Sequence, residues 1–159
     1  VGGFLSGSVY RALAPLLSPA GKRIDDALVG IASTWSVEFA AYAAGLGTFS
    51  LNDGQITERG IAHRCGSVIT DLVLPPTTRS GADPRGNCLY HREGSCGICI
   101  DRCPAGALSR EGHDKQKCRE YVHGEIPCAV GERFQVSELG CGLCQTMVPC
   151  EGMIPRGTK

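Results

Sequence analysis

The stretch CGICIDRCP, residues 96–104, contains three cysteines in the order C-x2-C-x3-C, followed directly by proline. A second stretch, CGLCQTMVPC at residues 141–150, repeats the theme as C-x2-C-x5-C. The C-x2-C spacing lets a short loop offer two thiolates to one metal centre, and Gly97 and Gly142 permit the tight turn that this loop needs. The two stretches therefore predict a fold organised around metal ligands.

The ending C-x3-C-P points to the kind of centre. The three cysteines of the first stretch and the proline after them match the end of the ferredoxin run C-x2-C-x2-C-x3-C-P. Glu93 stands where the first cysteine of that run would be, and a carboxylate is a poor ligand for a soft iron–sulfur centre. We therefore expect Cys88 to reach across a seven-residue spacer and supply the missing thiolate.

Eight cysteines match two [4Fe-4S] clusters at four thiolates each. In two-cluster ferredoxins the cysteine before the proline binds the other cluster, which sets the assignment. Cluster 1 takes Cys88, Cys96, Cys99 and Cys150, and cluster 2 takes Cys103, Cys118, Cys141 and Cys144. Zinc ribbons and a disulfide scaffold are the alternatives, and the C-x3-C-P ending favours iron and sulfur. Cys65 and Cys128 fit neither group and are expected to be small buried apolar residues.

Composition describes an ordinary folded chain with an unusual thiol content. The 159 residues include sixteen basic and sixteen acidic ones, so net charge gives no argument for a nucleic-acid partner. Nine of the ten cysteines follow residue 87, which indicates that the thiols serve one local site and not cross-links along the whole chain. We expect no membrane helix, no signal peptide and a reducing cytoplasmic location, which favours metal ligation over disulfides. Because the chain starts at Val1, we expect residues before it to be missing, although processing would look the same.

Local patterns predict few regular elements. Helices are expected at 8–17, 34–44 and 114–122, a buried strand at 66–74, and a linker at 77–87. Ser33, Thr34 or Ser36 is available to cap the second helix, and Gly45 is placed to end it. We expect a partial α/β region at 1–85 and the cysteine-rich domain at 86–159.

Four stretches taken together extend the pattern over most of the chain: AAYAAGLGTFSLNDGQITERGIAHRCGSVITDLVLPPTTR (40–79), CGICIDRCPAGAL (96–108), HDKQKCREY (113–121) and CGLCQTMVPCE (141–151). In this order they resemble the epoxyqueuosine reductase-like iron–sulfur proteins and, more distantly, reductive dehalogenases. The resemblance implies an α+β protein in which a ferredoxin-like double-cluster module follows the C-terminal part of a nitroreductase-like α/β domain. It also matches Cys118 to a family cysteine that precedes a tyrosine.

The resemblance further implies cobalamin as a second cofactor, with contacts from the turn formed by Gly45, Leu46, Gly47 and Thr48. An electron donor such as ferredoxin or flavodoxin would serve the clusters, and the substrate would be a tRNA base or a small organic molecule. Departures limit what carries over. Ser50 replaces a glycine that usually follows the turn, and the acidic residue expected before it has no equivalent, so no catalytic acid is assigned.

Three functions remain open. The chain could be the electron-delivering part of a corrinoid-dependent reductase, a stand-alone ferredoxin-like carrier, or an interaction domain with structural zinc. Solvated or structural roles are favoured for His63, His91, His113 and His123. Arg102, Lys117 and Arg119 flank ligands and either offset cluster charge or are simply solvated.

Overall fold

The computed structural model describes residues 36–68, 71, 73, 75, 83–135 and 140–157. The chain divides into two compact units. The first comprises Val1–Leu46 and Arg64–Ser80, and the second comprises Gly47–His63 and Gly81–Lys159. The domain division at residue 85 stays a prediction, and the helix expected at 8–17 lies outside the described residues. In the described ranges no helix is long and apolar enough to cross a membrane.

The first unit contains helix α1, Val37–Ala43. Ser36 caps its start, because the Ser36 hydroxyl accepts a hydrogen bond from the amide of Phe39 at 3.3 Å. At its end Gly45 has φ 76°, and the amide of Leu46 donates to the carbonyl of Ala41 at 3.0 Å, as in a Schellman motif. The helix predicted at 34–44 is confirmed over Val37–Ala43, where Ser36, one of the three cap candidates, caps its start and Gly45 follows its end.

The strand expected at 66–74 is wrong for the part of it that the structure describes. Residues 66–68, 71 and 73 are not in a strand. Val68 and Val73 are 60% and 94% exposed, so they do not form the buried face that the apolar run predicted. A β-branched run favours a strand only where neighbouring strands and a packing surface exist, and sequence propensity does not supply them.

The second unit begins with a hairpin of two antiparallel strands, β1 Gly47–Phe49 and β2 Gln55–Thr57. Gly47 pairs with Thr57, and Phe49 pairs with Gln55. A Cβ atom at Gly47 would lie 2.5 Å from the carbonyl oxygen of Ile56, so the strands approach too closely for any side chain there. Glycine at this position is therefore required by strand pairing.

Short elements follow the hairpin. They are helices α2 Leu89–Glu93 and α3 Ile98–Asp101, strands β3 Leu108–Ser109 and β4 Gly112–His113, helix α4 Lys115–Glu120, helix α5 Glu132–Phe134 and the 3-10 turn Leu143–Gln145. Asp114 caps α4 by accepting hydrogen bonds from the amides of Gln116 and Lys117, both at 3.0 Å. The helix expected at 114–122 is thus confirmed at its start, but π-helical turns at Tyr121–Glu125 and Pro127–Gly131 extend it to α5.

The core of the second unit joins the hairpin to the cysteine-bearing segments. Its buried members are Leu51, Ile56, Ile61, Cys88 and Val148, and Tyr90, Cys99, Ile100, Cys150 and Ile154 pack against them. Short helices with two small sheets agree with the predicted α+β class. The ferredoxin-like double-cluster module stays a prediction.

Candidate metal centre

Four cysteines lie close together around the core of the second unit. Cys88, at the start of α2, is 7% exposed. Burial raises the pKa of the Cys99 thiol to about 12, with further contributions from the thiols of Cys88, Cys96, Cys150 and Cys144. Burial also raises the pKa of Cys150 to about 11, and the thiols of Cys88, Cys96 and Cys144 add to this effect. We refer to Cys88, Cys96, Cys99 and Cys150 as the first neighbourhood, although the Cys144 thiol also acts on Cys99 and Cys150.

A second neighbourhood forms around α4 and the 3-10 turn. Burial raises the pKa of Cys118, and the thiols of Cys103 and Cys141 raise it further. Burial raises the pKa of Cys144 as well, a hydrogen bond from the Asn52 side chain opposes the rise, and the thiols of Cys141, Cys103 and Cys118 reinforce it. The structure thus brings Cys103, Cys118, Cys141 and Cys144 together. Their role as ligands stays a prediction.

The residue at the missing ferredoxin position is engaged elsewhere. The carboxylate of Glu93 accepts a hydrogen bond from Nε of Arg92 at 2.8 Å, and Nη2 of the same guanidinium lies 2.7 Å from it. Cys88 is buried in the core beside Cys99 and Cys150, so a thiol and not a carboxylate faces the first neighbourhood.

Within the described ranges, no three His, Cys, Asp or Glu side chains converge so as to hold one metal ion. A tetrahedral zinc ion with Zn–S bonds of about 2.3 Å needs sulfurs about 3.8 Å apart. Each thiolate of a [4Fe-4S] cubane binds a different iron, so its ligands are spread more widely.

The hairpin region holds the second cysteine stretch at two points. The Asn52 side chain donates through Nδ2 to the carbonyl of Cys144 at 2.8 Å. The amide of Ile61 donates to the carbonyl of Cys150 at 2.8 Å. Gly60 makes this second contact feasible, because a Cβ atom there would lie 2.1 Å from the carbonyl oxygen of Glu151. These contacts join residues about ninety positions apart, so no local sequence pattern predicts them.

Arg102 bridges the two cysteine stretches. Its Nε donates to the carbonyls of Leu143 and Thr146 at 3.3 and 3.2 Å. The Arg102 guanidinium therefore binds backbone carbonyls, and of its two expected roles the one in which it is simply solvated is wrong. A backbone amide also reaches a cysteine, because the N–H of Ala107 donates to Sγ of Cys103 at 3.3 Å. Backbone N–H groups directed at sulfur are typical of iron–sulfur ligand loops.

The turn expected to contact cobalamin has roles in the fold itself. Gly45 ends α1 in the first unit, where Leu46 is 53% exposed. In the second unit Gly47 permits close strand pairing, and the buried Thr48 hydroxyl accepts a hydrogen bond from the amide of Asn87 at 2.9 Å. Contact with cobalamin stays a prediction.

Two of the four histidines contact charged side chains. Nδ1 of His113 lies 3.3 Å from the Asp53 carboxylate, and this hydrogen bond is the main reason that the pKa of Asp53 is lowered. Nε2 of His91 lies 2.6 Å from Arg85, and burial lowers its pKa. Cys65 belongs to the first unit, and the Cys128 side chain lies outside the described residues. Among described side chains no single-ion site includes His63, His91, His113 or His123.

Curated proteins similar to this chain include two named reductases. The epoxyqueuosine reductase of Bacillus anthracis is 32% identical over 111 residues, which are 67% of this chain and 27% of that protein. The epoxyqueuosine reductase of Gloeobacter violaceus is 35% identical over 116 residues, which are 69% of this chain and 34% of that protein. An uncharacterized protein of Geobacillus stearothermophilus is 32% identical over 88 residues, or 53% of this chain and 37% of its own length.

Both named relatives are epoxyqueuosine reductases, which are oxidoreductases. Over about two thirds of its length the chain is epoxyqueuosine reductase-like, which confirms the resemblance expected from the sequence. The chain spans about a quarter to a third of the length of these named reductases. No protein-family model and no solved structure matches it.

Proposed function

We propose that the second unit holds two [4Fe-4S] clusters and delivers electrons to the active site of an epoxyqueuosine reductase-like, corrinoid-dependent enzyme. The observation that carries this proposal is that Cys88, Cys99 and Cys150 pack around one core, and that Cys103 and Cys141 lie near enough to Cys118 to raise its pKa. Such clusters, when bound, supply one-electron transfer at potentials set by their surroundings. One cluster would be held by Cys88, Cys96, Cys99 and Cys150. The other cluster would be held by Cys103, Cys118, Cys141 and Cys144.

The chemistry of the thiols fits this role. Thiolates are the ligands, but four thiolates that share a partly buried space repel one another, and burial further disfavours the charge. The raised pKa values of Cys99 and Cys150 reflect how unfavourable the thiolate charge is at these positions. Positive charge from bound iron would offset it, with protons released as the ligands bind. The groups are therefore arranged so that metal stabilises a charge that the protein alone disfavours.

The chain's own contacts suit a rigid electron-transfer site. Cys88, Cys99 and Cys150 pack against the apolar core, which limits access of water to the first neighbourhood. The amide of Ala107 directs a donor at the Cys103 sulfur, and Arg102 ties the segment after α3 to the 3-10 turn. Such contacts hold ligands in place and influence the reduction potential.

The partners belong to the same proposal. The relatives' name suggests a tRNA base as substrate, with a small organic molecule as the other choice, and a ferredoxin or flavodoxin would supply electrons. Cobalamin would be the acceptor of those electrons. The second candidate is a stand-alone carrier, which the missing acidic residue before Gly45 favours.

Metal analysis tests the clusters directly. After anaerobic reconstitution, we expect about eight iron and eight acid-labile sulfide per chain, since each [4Fe-4S] site has four of each. Cys99→Ser and Cys144→Ser should each impair one neighbourhood and lower the iron content by up to about half. Cys65→Ser is the matched control, because Cys65 lies in the first unit, and it should retain the full content.

Two results would count against the clusters. One or two zinc with no sulfide, as in a zinc ribbon, would replace the iron–sulfur proposal with a structural one. A loss of iron in Cys65→Ser as large as that in Cys99→Ser would contradict the division of the thiols.

Cobalamin binding separates the enzyme from the carrier. Titration of the reconstituted protein with cob(II)alamin, followed by its absorbance and electron paramagnetic resonance spectra, should show saturable binding if the chain contributes to a corrinoid site. A protein with both clusters but no spectral change would favour the carrier.

A further inference from the structure

Arg102 stands directly before Cys103, one of the cysteines proposed to bind the second cluster, at the end of α3. The backbone is fixed here, because the amide of Arg102 donates to the carbonyl of Ile98 at 3.0 Å. The amide of Cys103 likewise donates to the carbonyl of Ile100 at 3.1 Å. The Arg102 residue is half-buried. Its side chain therefore starts from a defined point beside a candidate ligand.

The guanidinium of Arg102 reaches the other cysteine stretch. Its Nε lies 3.3 Å from the carbonyl of Leu143 and 3.2 Å from that of Thr146, and its Nη2 lies 3.5 Å from the Thr146 hydroxyl. Leu143 stands between Cys141 and Cys144 in the chain, so these contacts hold a loop that carries two further candidate ligands. A guanidinium does not lose its proton in proteins, and one held at several atoms keeps its charge in a fixed place.

Lys117 offers a comparison within the same group of thiols. It directly precedes Cys118 in the chain, just as Arg102 directly precedes Cys103. Lys117 is exposed, whereas Arg102 is half-buried. Water and salt screen an exposed charge strongly, and they screen a partly buried charge less. The structure therefore distinguishes two cationic residues that have equivalent positions in the sequence.

We propose that Arg102 is a positioning residue for the second cluster, which ties the Cys103 segment to the Cys141–Cys144 loop and keeps a positive charge there that raises the reduction potential of the cluster. This inference rests on the proposed clusters. Reduction adds one negative charge to a cluster, and a fixed positive charge nearby stabilises the reduced form more than the oxidised form. Because the contacts of Arg102 join segments that carry three of the four proposed ligands, the second cluster should respond more than the first.

Three variants separate charge from position. Arg102→Gln removes the charge and leaves an NH2 group that can still donate to one of the two carbonyls. Arg102→Lys retains the charge and offers three N–H donors. Lys117→Gln is the matched control, because it removes the same charge from the residue before Cys118 at an exposed position.

The measurement is a redox titration of the reconstituted protein followed by electron paramagnetic resonance, with iron and sulfide counted in each sample. The second cluster is identified as the signal that Cys141→Ser removes. We expect Arg102→Gln to disfavour its reduction by about tenfold, which is about 59 mV for one electron, and to change the first cluster less. Arg102→Lys and Lys117→Gln should each keep the reduction equilibrium of the second cluster within about twofold of wild type.

Four results in protein with both clusters assembled would overturn the inference. The first is an unchanged potential of the second cluster in Arg102→Gln, and the second is an equal shift of both clusters. The third is a shift in Lys117→Gln as large as that in Arg102→Gln. The fourth is an equally large shift in Arg102→Lys, which keeps the charge. The wild-type iron and sulfide content tests the proposed function separately.

Arg102→Lys decides the question if Arg102→Gln does not assemble the second cluster. A second cluster with the wild-type potential in Arg102→Lys then supports the inference, and a lowered potential contradicts it. Loss of the second cluster alone in both variants supports the tie between the two segments. Loss of both clusters in both variants contradicts it, because Arg102 would then stabilise the whole unit and not one cluster.

Discussion

Replacing Gly60 by alanine should weaken the attachment of the hairpin region to the second cysteine stretch. Gly60 has φ 82°, and the added Cβ atom would lie 2.1 Å from the carbonyl oxygen of Glu151. Left-handed backbone costs a residue with a side chain about 1–2 kcal/mol, and overpacking costs about 1–3 kcal/mol. We therefore expect Gly60→Ala to lower the free energy of unfolding by about 2–5 kcal/mol, measured by urea unfolding of the whole chain under reducing conditions.

Gly94 provides the control for this experiment. It has a similar φ of 68°, but a Cβ atom there would meet nothing within 4 Å. Gly94→Ala should therefore show only the backbone cost of about 1–2 kcal/mol. The difference between the two variants measures the close approach of residue 60 to the segment after Cys150. Equal losses in the two variants would refute the claim that this contact is a close backbone packing.

Two further substitutions test polar contacts of the second unit. Arg102→Ala removes a donor to two carbonyls and should cost about 1–3 kcal/mol in urea unfolding, whereas Arg110→Ala, at an exposed position, should cost little. The pKa of Asp53 lies below its ordinary value of 3.8 because His113 donates a hydrogen bond to the carboxylate. The ionised carboxylate therefore contributes fully to the free energy of unfolding above that pH, and this contribution is lost as the pH falls. Asp53→Asn should therefore flatten the decline of unfolding free energy below about pH 4. An unchanged decline in Asp53→Asn would contradict this role.

Features that depend on neighbouring residues were predictable from the sequence. Ser36 and Gly45 mark the two ends of α1 through hydrogen bonds that span three to five residues. Asp114 caps α4 by accepting hydrogen bonds from amides two and three residues away. The cysteine pattern likewise depends on short spacings, so the candidate ligands could be named in advance. The resemblance to epoxyqueuosine reductases, which the comparisons confirm, came from the order of short motifs.

Only the tertiary structure decided the features that depend on distant partners. The 66–74 run has the composition of a strand, yet its described residues are not in a strand. Asn52 has the sequence context of a turn residue, but its side-chain amide donates to the carbonyl of Cys144. Nothing in the sequence distinguishes Gly60 from other glycines, but its backbone packs closely against Glu151. Local sequence sets local hydrogen bonds and backbone angles. Which distant segment packs against a turn depends on how the whole apolar core is buried, and no short pattern records that.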